Sequence, residues 1–472
     1  MLIIIDLTVI TLALILAWII RFETTFFGNS GYSGWGFIIY MMPLFVILPI
    51  YLILYYIFDL YQAQRTRSIK SEVLNLIKAN FVGVLVLISF LFIFELTEYS
   101  RYVLATFITL SLILSITERL TIRLSLRLMR SRGYNIKHIL ILGAGPLGKK
   151  FAQRIKKHPY VGYHIIGFLD DNVPKNDKIV DSHVIGKIED LEDLILKNPL
   201  DNVIITLSAH KYNILNIVDI CEKHGVKSKI IPDFSLHPPN DHYKDLINNI
   251  ALTLPSKPYY DKIDDIPILD VRYVPLDNNF KKNAKRIFDV ILAALALLFL
   301  SPLIIFTAII IKITSPGPII FKQERVGYNR QTFMMYKFRS MKVQYEENKE
   351  IQWTKINDPR ITTFGSIIRK TSIDEFPQFF NILKGDMSLI GPRPERPIFV
   401  EKFREEIPQY MIKHYVRPGM SGWAQVNGLR GNTSIKKRIE YDIYYVENWT
   451  FILDLKIFIL TIIKGFIHKN AY

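Results

Sequence analysis

The sequence predicts a membrane protein in three parts. An N-terminal four-helix transmembrane bundle leads to a central α/β domain built on a parallel sheet. A mainly α C-terminal domain with a re-entrant membrane helix follows. Three observations predict this. Half of the 472 residues are hydrophobic, yet the net charge is +16, from 59 basic and 43 acidic residues. Four apolar segments open the chain, each about long enough to cross a hydrocarbon core of ~30 Å. Strand-like and helix-like runs then alternate, as an open parallel sheet requires. Apolarity joined to basicity fits a membrane protein whose cytoplasmic face is rich in Lys and Arg. A nucleic-acid binder would also be basic, but no basic repeat or zinc pattern is present, so no nucleic-acid partner is expected. Cys221 is the single cysteine, which excludes a disulfide within the chain and allows a reduced cytosolic setting. The first apolar run starts at Met1 with no basic stretch before it and no small-residue cleavage site after it, so no cleavable signal is expected.

The four segments run over Leu2–Ile20, Phe37–Phe58, Val73–Phe94 and Tyr102–Ile122. The link after the second carries Arg65, Arg67 and Lys70, and the exit from the fourth carries Arg119, Arg123, Arg127, Arg130 and Arg132. The other links are poor in charge. The positive-inside rule therefore places both ends of the bundle in the cytoplasm. Next, "HILILGAGPLGKKFAQRI" reads as a strand, a Gly-rich turn and a basic helix. "HIIGFLDD", "NVIITLS" and "SKIIPD" read as further strands, with a helix near Ile214–His224. A Pro-rich linker, "LPSKPYYDKIDDIPILD", closes this domain.

The last third opens with a fifth apolar run interrupted by Ser301 and Pro302. Basic residues flank it on both sides: Lys281, Lys282, Lys285 and Arg286 before, Lys312, Lys322 and Arg325 after. A spanning helix would send one cluster outside. Proline removes a backbone donor and clashes with the preceding turn. The simplest geometry is a helix–break–helix hairpin over about 287–313 that enters and leaves by one face. The alternative is a fifth span with a tolerated Pro kink. The C-terminal "WTFILDLKIFILTIIKGFIHK" carries Asp454 and Lys456 and reads as a membrane-surface helix. The expected division is a bundle at 1–131, an α/β domain at 132–254, a linker at 255–280 and a C-terminal domain at 281–472.

Two constellations could carry chemistry. Gly143, Gly145 and Gly148 follow a strand and open a helix, with Asp170 or Asp171 about twenty residues on. That is the context of a Rossmann-like dinucleotide fingerprint, so a bound nucleotide is a candidate cofactor. No Tyr-x-x-x-Lys pair accompanies it to argue redox chemistry. The C-terminal domain holds Lys337, Arg339, Arg360, Arg369, Arg393 and Arg417 on Gly- and Pro-rich loops. Arginine grips phosphate bidentately. Several such loops with two adjacent acids, Asp374 and Glu375, suggest a phosphorylated substrate and a divalent metal. Ser372-x-x-Glu375 also matches a capping box, which would make the acids merely structural. Pro377 suits a first helical position, and Phe376 before it should avoid helical angles. On that geometry the acids sit at a helix mouth, where one carboxylate could attack phosphorus while the other holds Mg²⁺.

At these residues the segment from about Lys285 onward resembles the catalytic domain of bacterial polyprenyl-phosphate sugar-1-phosphate transferases. The motifs are "KRIFD", "SPGPIIFKQERVG", "KFRSM", "DPRIT", "RKTSIDEFPQ", "GDMSLIGPRP" and "RPGMSGWAQVNG". With the bundle and Gly-rich domain, the whole chain resembles the long branch of that family, such as undecaprenyl-phosphate glucose phosphotransferases. Ile373 and Phe376 stand where the family usually has Leu, an apolar exchange that leaves the chemistry intact. The resemblance implies transfer of a hexose-1-phosphate, with glucose favoured, from a UDP-sugar to undecaprenyl phosphate. Asp374 would be the nucleophile, giving an aspartyl phosphosugar and UMP. Glu375 would hold Mg²⁺, and Arg393 would grip phosphate. Ser301 and Pro302 match the family's re-entrant break. The Gly-rich domain would be regulatory or dimer-forming, giving a homodimer in contact with membrane lipids. The resemblance further implies a first membrane step of surface-polysaccharide synthesis, at the cytoplasmic face of a bacterial inner membrane. The rival readings are a membrane-tethered NAD-dependent sugar-nucleotide-modifying enzyme and a non-enzymatic scaffold.

Overall fold

The structure is a computed structural model describing residues 2–27, 36–61, 69–94, 99–134, 136–208, 211–232, 259–263, 266–342, 360–429, 431 and 433–465. The N-terminal helices are α1 (Leu2–Phe22), α2 (Phe37–Met41), α3 (Leu44–Ile57), α4 (Ile69–Ile93) and α5 (Arg101–Ser131). With α2 and α3 counted as one stretch, these give four helices long and apolar enough to cross a membrane, and Phe280–Thr314 gives a fifth. Ile10, Leu14, Tyr51, Tyr55, Leu76 and Phe107 form the bundle core. Arg119 holds both oxygens of Asp6 at 2.7 Å, and Arg123 holds Glu72 at 2.6 Å. These pairs tie α1, α4 and α5 together and keep the buried charges compensated. Outward-facing Phe45 is 87% exposed and Phe92 82% exposed, far more apolar surface than a soluble bundle displays.

The central sheet contains β1 (Lys137–Leu142), β2 (Tyr163–Leu169), β3 (Lys178–Ile179), β4 (Ser182–Gly186), β5 (Asn202–Ile205), β6 (Lys227–Ile230), β7 (Tyr259–Ile263) and β8 (Ile266–Asp270). Its order is β3-β4-β2-β1-β5-β6-β8-β7. The run from β4 through β6 is parallel. Helices α6 (Pro146–Lys157), α7 (Leu191–Lys197) and α8 (Ile214–Lys223) cover it. The expected linker is partly sheet, because β7 and β8 form an antiparallel hairpin and β8 pairs with β6. Its Pro-rich start lies outside the described residues. The hairpin supplies partners to an edge that would otherwise stay open.

The C-terminal part contains α9 (Asn279–Thr314), β9 (Ile320–Val326), β10 (Thr332–Phe338), α10 (Thr363–Lys370), α11 (Gln378–Lys384), β11 (Ser388–Ile390), α12 (Pro397–Glu406), β12 (Gly419–Ser421), α13 (Trp423–Val426), α14 (Ile435–Glu447) and α15 (Phe451–Gly465). One correction concerns Ser301 and Pro302. Helix α9 is helical throughout, with Pro302 inside it, rather than two helices around an irregular break. The carbonyl of Leu298, four residues before Pro302, has no backbone donor to receive, and the Ser301 hydroxyl takes it at 2.8 Å. A second correction concerns Asp454. It is buried and accepts Lys285 at 2.6 Å, Tyr445 at 2.8 Å and Trp449 at 3.0 Å, so it pins α15 to α9 and α14. The exposed side of α15 is Ile452, Leu455, Ile459, Ile462 and Ile463.

The central and C-terminal domains share a polar seam. Arg272 holds Glu222 of α8 at 2.8 and 3.0 Å and also bonds Glu447 of α14. Arg330, at the tip of the β9–β10 hairpin, donates to the carbonyls of His224 and Leu200 at 3.0 and 2.9 Å.

Candidate active site

Helix α10 begins at Thr362, whose hydroxyl accepts the Gly365 N–H at 2.9 Å, and ends at Lys370. Ser372 then takes a left-handed backbone (φ 56°) and accepts no side-chain capping bond, so the expected capping box does not form. A single 3-10 turn, Ile373–Glu375, swings the chain into α11. Pro377 sits at the N-cap, and Phe376 is helical (φ −57°, ψ −34°) despite the proline after it. The acids therefore stand in the turn that enters α11, with Asp374 partly exposed and Glu375 only 5% exposed.

What Glu375 does instead of capping defines the site. Its Oε1 accepts Lys337 Nζ at 2.9 Å and Arg393 at 3.0 Å. Lys337 lies on β10, opposite Phe321 of β9. Arg393 stands on the Gly-Pro-Arg-Pro loop after β11. That loop is held tightly, because a methyl group on Gly391 would come within 2.5 Å of the Arg417 carbonyl. The Glu375 charge beside Arg393 raises the pKa of its guanidinium, and Asp374 adds to the effect. Three separate elements thus bring two cations and two carboxylates together.

The other expected phosphate-binding residues are placed differently. Arg339 is buried, and its terminal nitrogens donate to the carbonyls of Ser315 and Pro316, each at 2.6 Å, so it clamps the end of α9. This corrects the phosphate role read from its motif. Arg417 gives its Nε–H to the Gly385 carbonyl at 2.8 Å, at the far end of α11 from the acids. Arg369 lies in the last turn of α10, just before the acid turn. The carbonyl of Arg360 accepts the Lys342 N–H at 2.9 Å. The neighbouring Asp358 lies outside the described residues.

Two residues that the sequence reading did not single out, Glu395 and Arg438, support the site together with Arg325. Arg325 donates to Gln323 at 2.6 Å and to the Pro394 carbonyl at 3.3 Å, and lies 3.6 Å from Glu395. Glu395 is 3.5 Å from Arg438, which also donates to the Gly431 carbonyl at 2.8 Å. The Val326 N–H donates to the Glu395 carbonyl at 3.0 Å. This Arg–Glu–Arg arrangement braces the Arg393 loop from behind. The adjacent run "RPER" is a sequence signal for it, but nothing nearby points to Arg438.

Among the described residues no group of three or more His, Cys, Asp or Glu side chains could hold a metal. Asp374 and Glu375 alone fit a Mg²⁺ that completes its shell with substrate phosphates and water, which is its usual mode.

In the central domain Gly143 has φ +103°, and a methyl on Gly148 would meet the Gly143 carbonyl oxygen at 2.1 Å. Gly145 faces open space. The Asp170 carboxylate accepts the N–H groups of Ala144 (2.7 Å), Asn172 (2.8 Å) and Val173 (3.2 Å). It holds the Gly-rich turn together, which corrects its expected place as a nucleotide ligand.

The model of the family described as "Bacterial sugar transferase" matches residues 280–468, and that of a "CoA-binding domain" matches residues 56–232. The UDP-glucose:undecaprenyl-phosphate glucose-1-phosphate transferase of Xanthomonas campestris pv. campestris is 32% identical, over 88% of this chain and 84% of its own length. The protein of the same name in Klebsiella pneumoniae is 36% identical over 73% of this chain and 70% of its own. A UDP-N-acetylgalactosamine-undecaprenyl-phosphate N-acetylgalactosaminephosphotransferase of Aeromonas hydrophila is 50% identical over 39% of this chain and 44% of its own. Relatedness over nearly the full length, and the family match over the domain that carries the acid pair, make this chain a member of the bacterial undecaprenyl-phosphate sugar-1-phosphate transferases.

Proposed function

We propose that the enzyme transfers a hexose-1-phosphate, with glucose favoured, from a UDP-sugar to undecaprenyl phosphate in two displacements. In the first, a carboxylate oxygen of Asp374 attacks the sugar-bearing phosphorus. The P–O bond to the UMP phosphoryl breaks, and UMP leaves with the electron pair. In the second, a phosphate oxygen of the lipid attacks the same phosphorus, the bond to Asp374 breaks, and the carboxylate is restored. Lys337 and Arg393 would face the charge that develops on the diphosphate, and such cations stabilise the transition state. Mg²⁺, held by Glu375 together with the diphosphate, would supply further neutralisation of the leaving group. The observation that carries this reading is the convergence of Lys337 and Arg393 on Glu375, one residue from Asp374. The product would open surface-polysaccharide synthesis.

The topology belongs to the same proposal. A straight 36-residue helix would be about 54 Å long, far beyond the hydrocarbon core. Yet both ends of α9 are tied to one domain. Lys285 bonds Asp454, and Arg286 bonds the carbonyls of Ile382 and Leu383 at 2.5 and 2.9 Å, while Arg339 clamps the other end. Between these anchors Leu298 and Phe299 are exposed, the latter by 75%. Two tethered ends and an apolar exposed middle suit a helix that dips into the cytoplasmic leaflet and returns. The exposed Ile and Leu side of α15 suits the same surface.

The test is UMP release by the purified enzyme in lipid nanodiscs, with a panel of UDP-sugars and undecaprenyl phosphate. UDP-glucose is expected to be consumed fastest. Asp374→Asn should abolish release and leave the melting temperature unchanged, because an amide is a poor nucleophile toward phosphorus. Activity above a few per cent in that variant removes Asp374 from the role.

A further inference from the structure

Asn381 is fully buried in the middle of α11, a seven-residue helix, beside the apolar Phe379 and Ile382. Asparagine is a poor choice for a helix interior, because its amide competes for backbone groups. Here the amide reaches a different element. Its Nδ2 donates to the Met334 carbonyl at 2.7 Å, and its Oδ1 accepts the Tyr336 N–H at 2.9 Å. Among the described residues β10 forms a two-stranded sheet with β9, so one edge of β10 has no strand beside it. A donor on one carbonyl and an acceptor on the N–H two residues later is what a peptide group of a parallel neighbour provides. The Asn381 side chain therefore stands where a third strand would, and leaves neither backbone group unpaired. Asn381 lies six residues beyond Glu375, and Tyr336 immediately precedes Lys337. Lys337 Nζ in turn donates to Glu375 at 2.9 Å. The contacts close a ring that runs from the acid turn along α11, across the amide to β10, and back through Lys337.

We propose that Asn381 is a positioning residue for the transfer reaction: its amide sets the register of β10 against α11 and so places the Lys337 ammonium at the acid turn. The proposal rests on the functional reading above, in which Lys337 faces the diphosphate. A lysine is a point charge on a flexible stem, so its reach is decided by where its backbone is held. The other ties on β10 do not set this register. Strand β9 pairs with the opposite edge and moves with β10 as one hairpin. Arg339 clamps the end of α9, not α11. Lys384 reaches the Tyr336 hydroxyl at 2.6 Å, but from an exposed side chain to a side-chain tip, which leaves the backbone free to slide. Met335 packs into the same core as Phe379 and Ile382, and a methionine adapts to small shifts. The remaining contact of Asn381 Nδ2, 3.3 Å from Asp386, is longer and leads toward β11.

The experiment measures UMP release by the full chain in nanodiscs, with the radiolabelled UDP-sugar that the parent consumes fastest. Asn381→Ala should lower kcat about tenfold or more, as a misplacement of roughly an ångström does, and change KM less than about threefold. Ile382→Ala controls for lost stability. It empties a fully buried site on the same helix and leaves the amide in place, so it should lower the melting temperature while kcat stays within about threefold. A loss of kcat in Ile382→Ala equal to that in Asn381→Ala would reduce the effect to instability and overturn the proposal. The sharper readout is a double-mutant cycle with Lys337→Met. Asn381 acts through the Lys337 ammonium, so Asn381→Ala should cost less than about twofold more in that background. Losses that multiply overturn the proposal. Should Asn381→Ala not fold, Asn381→Gln decides. It returns the amide one methylene further out, which holds β10 out of register, and kcat must fall about tenfold. Parental kcat in that variant rejects the positioning role. An active parent with an unaffected Asn381→Ala rejects that role alone, whereas a parent that releases no UMP from any UDP-sugar rejects the function on which it rests.

Discussion

Gly148 and Gly145 share one motif and differ by what surrounds a single methyl group. A Cβ on Gly148 would lie 2.1 Å from a backbone oxygen that has no freedom to retreat, whereas one on Gly145 meets nothing within 4 Å. Gly148→Ala should therefore destabilise the central domain by about 1–3 kcal/mol, as overpacking does. Gly145→Ala meets no such clash and should cost no more than the loss of a good N-cap residue, about 1 kcal/mol or less, although the motif marks this glycine as the place of close backbone approach. Differential scanning fluorimetry on the two variants checks the contrast, and equal losses would contradict it. At this scale the carboxylates and their cations were legible, because Asp374, Glu375, Lys337 and Arg393 lie in recognisable short motifs. The commitments of Asp170 and Arg339 were not. An acid after a strand reads as a ribose ligand until three backbone N–H groups are seen to occupy it.

Among elements, the 3-10 helix Tyr410–Tyr415 at the domain seam makes a pH prediction. Burial pushes His414 down to about 3, with Lys413 and Arg330 adding to it and the Met411 carbonyl opposing. Its ring also lies 5.9 Å from Tyr410. The unfolded chain takes up the proton near the ordinary value of about 6.5, before the folded one does. The stability contribution is therefore intact above about pH 6.5 and is lost as pH falls, by up to about 1.4 kcal/mol per unit. Thermal midpoints at pH 7.5 and 5.5 should show this loss, and His414→Gln should flatten it. An unchanged slope would assign the acid sensitivity to another group. Helix α9 shows the converse limit of sequence reading. Proline predicts a freed carbonyl, and the serine beside it predicts a remedy, but neither predicts that the helix stays helical through them.

For the whole molecule, the tethering of both ends of α9 predicts that residues flanking it share one side of the membrane. Single cysteines at Asn283 and Gln331 should both be shielded from an impermeant thiol reagent in intact cells and both react after permeabilisation. Gln331 is preferred to Asn329, whose left-handed backbone (φ 50°) would strain a cysteine. Cys221 is fully buried, and burial raises its thiol, so it should stay silent. Labelling of Gln331→Cys from outside with Asn283→Cys shielded would mean that α9 spans. The seam makes a separate demand. Arg272→Ala would leave Glu222 buried without its guanidinium partner, and such a loss costs about 3–5 kcal/mol, so the central and C-terminal domains should come apart on heating at distinct midpoints.

Local chemistry is why so much was readable in advance. Runs of twenty apolar residues need lipid whatever else the chain does. Alternating strands and helices need a covered parallel sheet. A carboxylate pair beside a proline, among arginines on Gly and Pro loops, is compact enough to be recognised within a few residues. Partnerships across the chain were decided by folding alone. Lys285 meets Asp454 169 positions away, Arg272 meets Glu447 175 positions away, and Arg393 meets Glu375 from the far side of β11. A charged side chain shows its sign in the sequence, but whether it faces substrate, caps a helix or closes a seam depends on which oxygen lies within about 3 Å once the elements have packed.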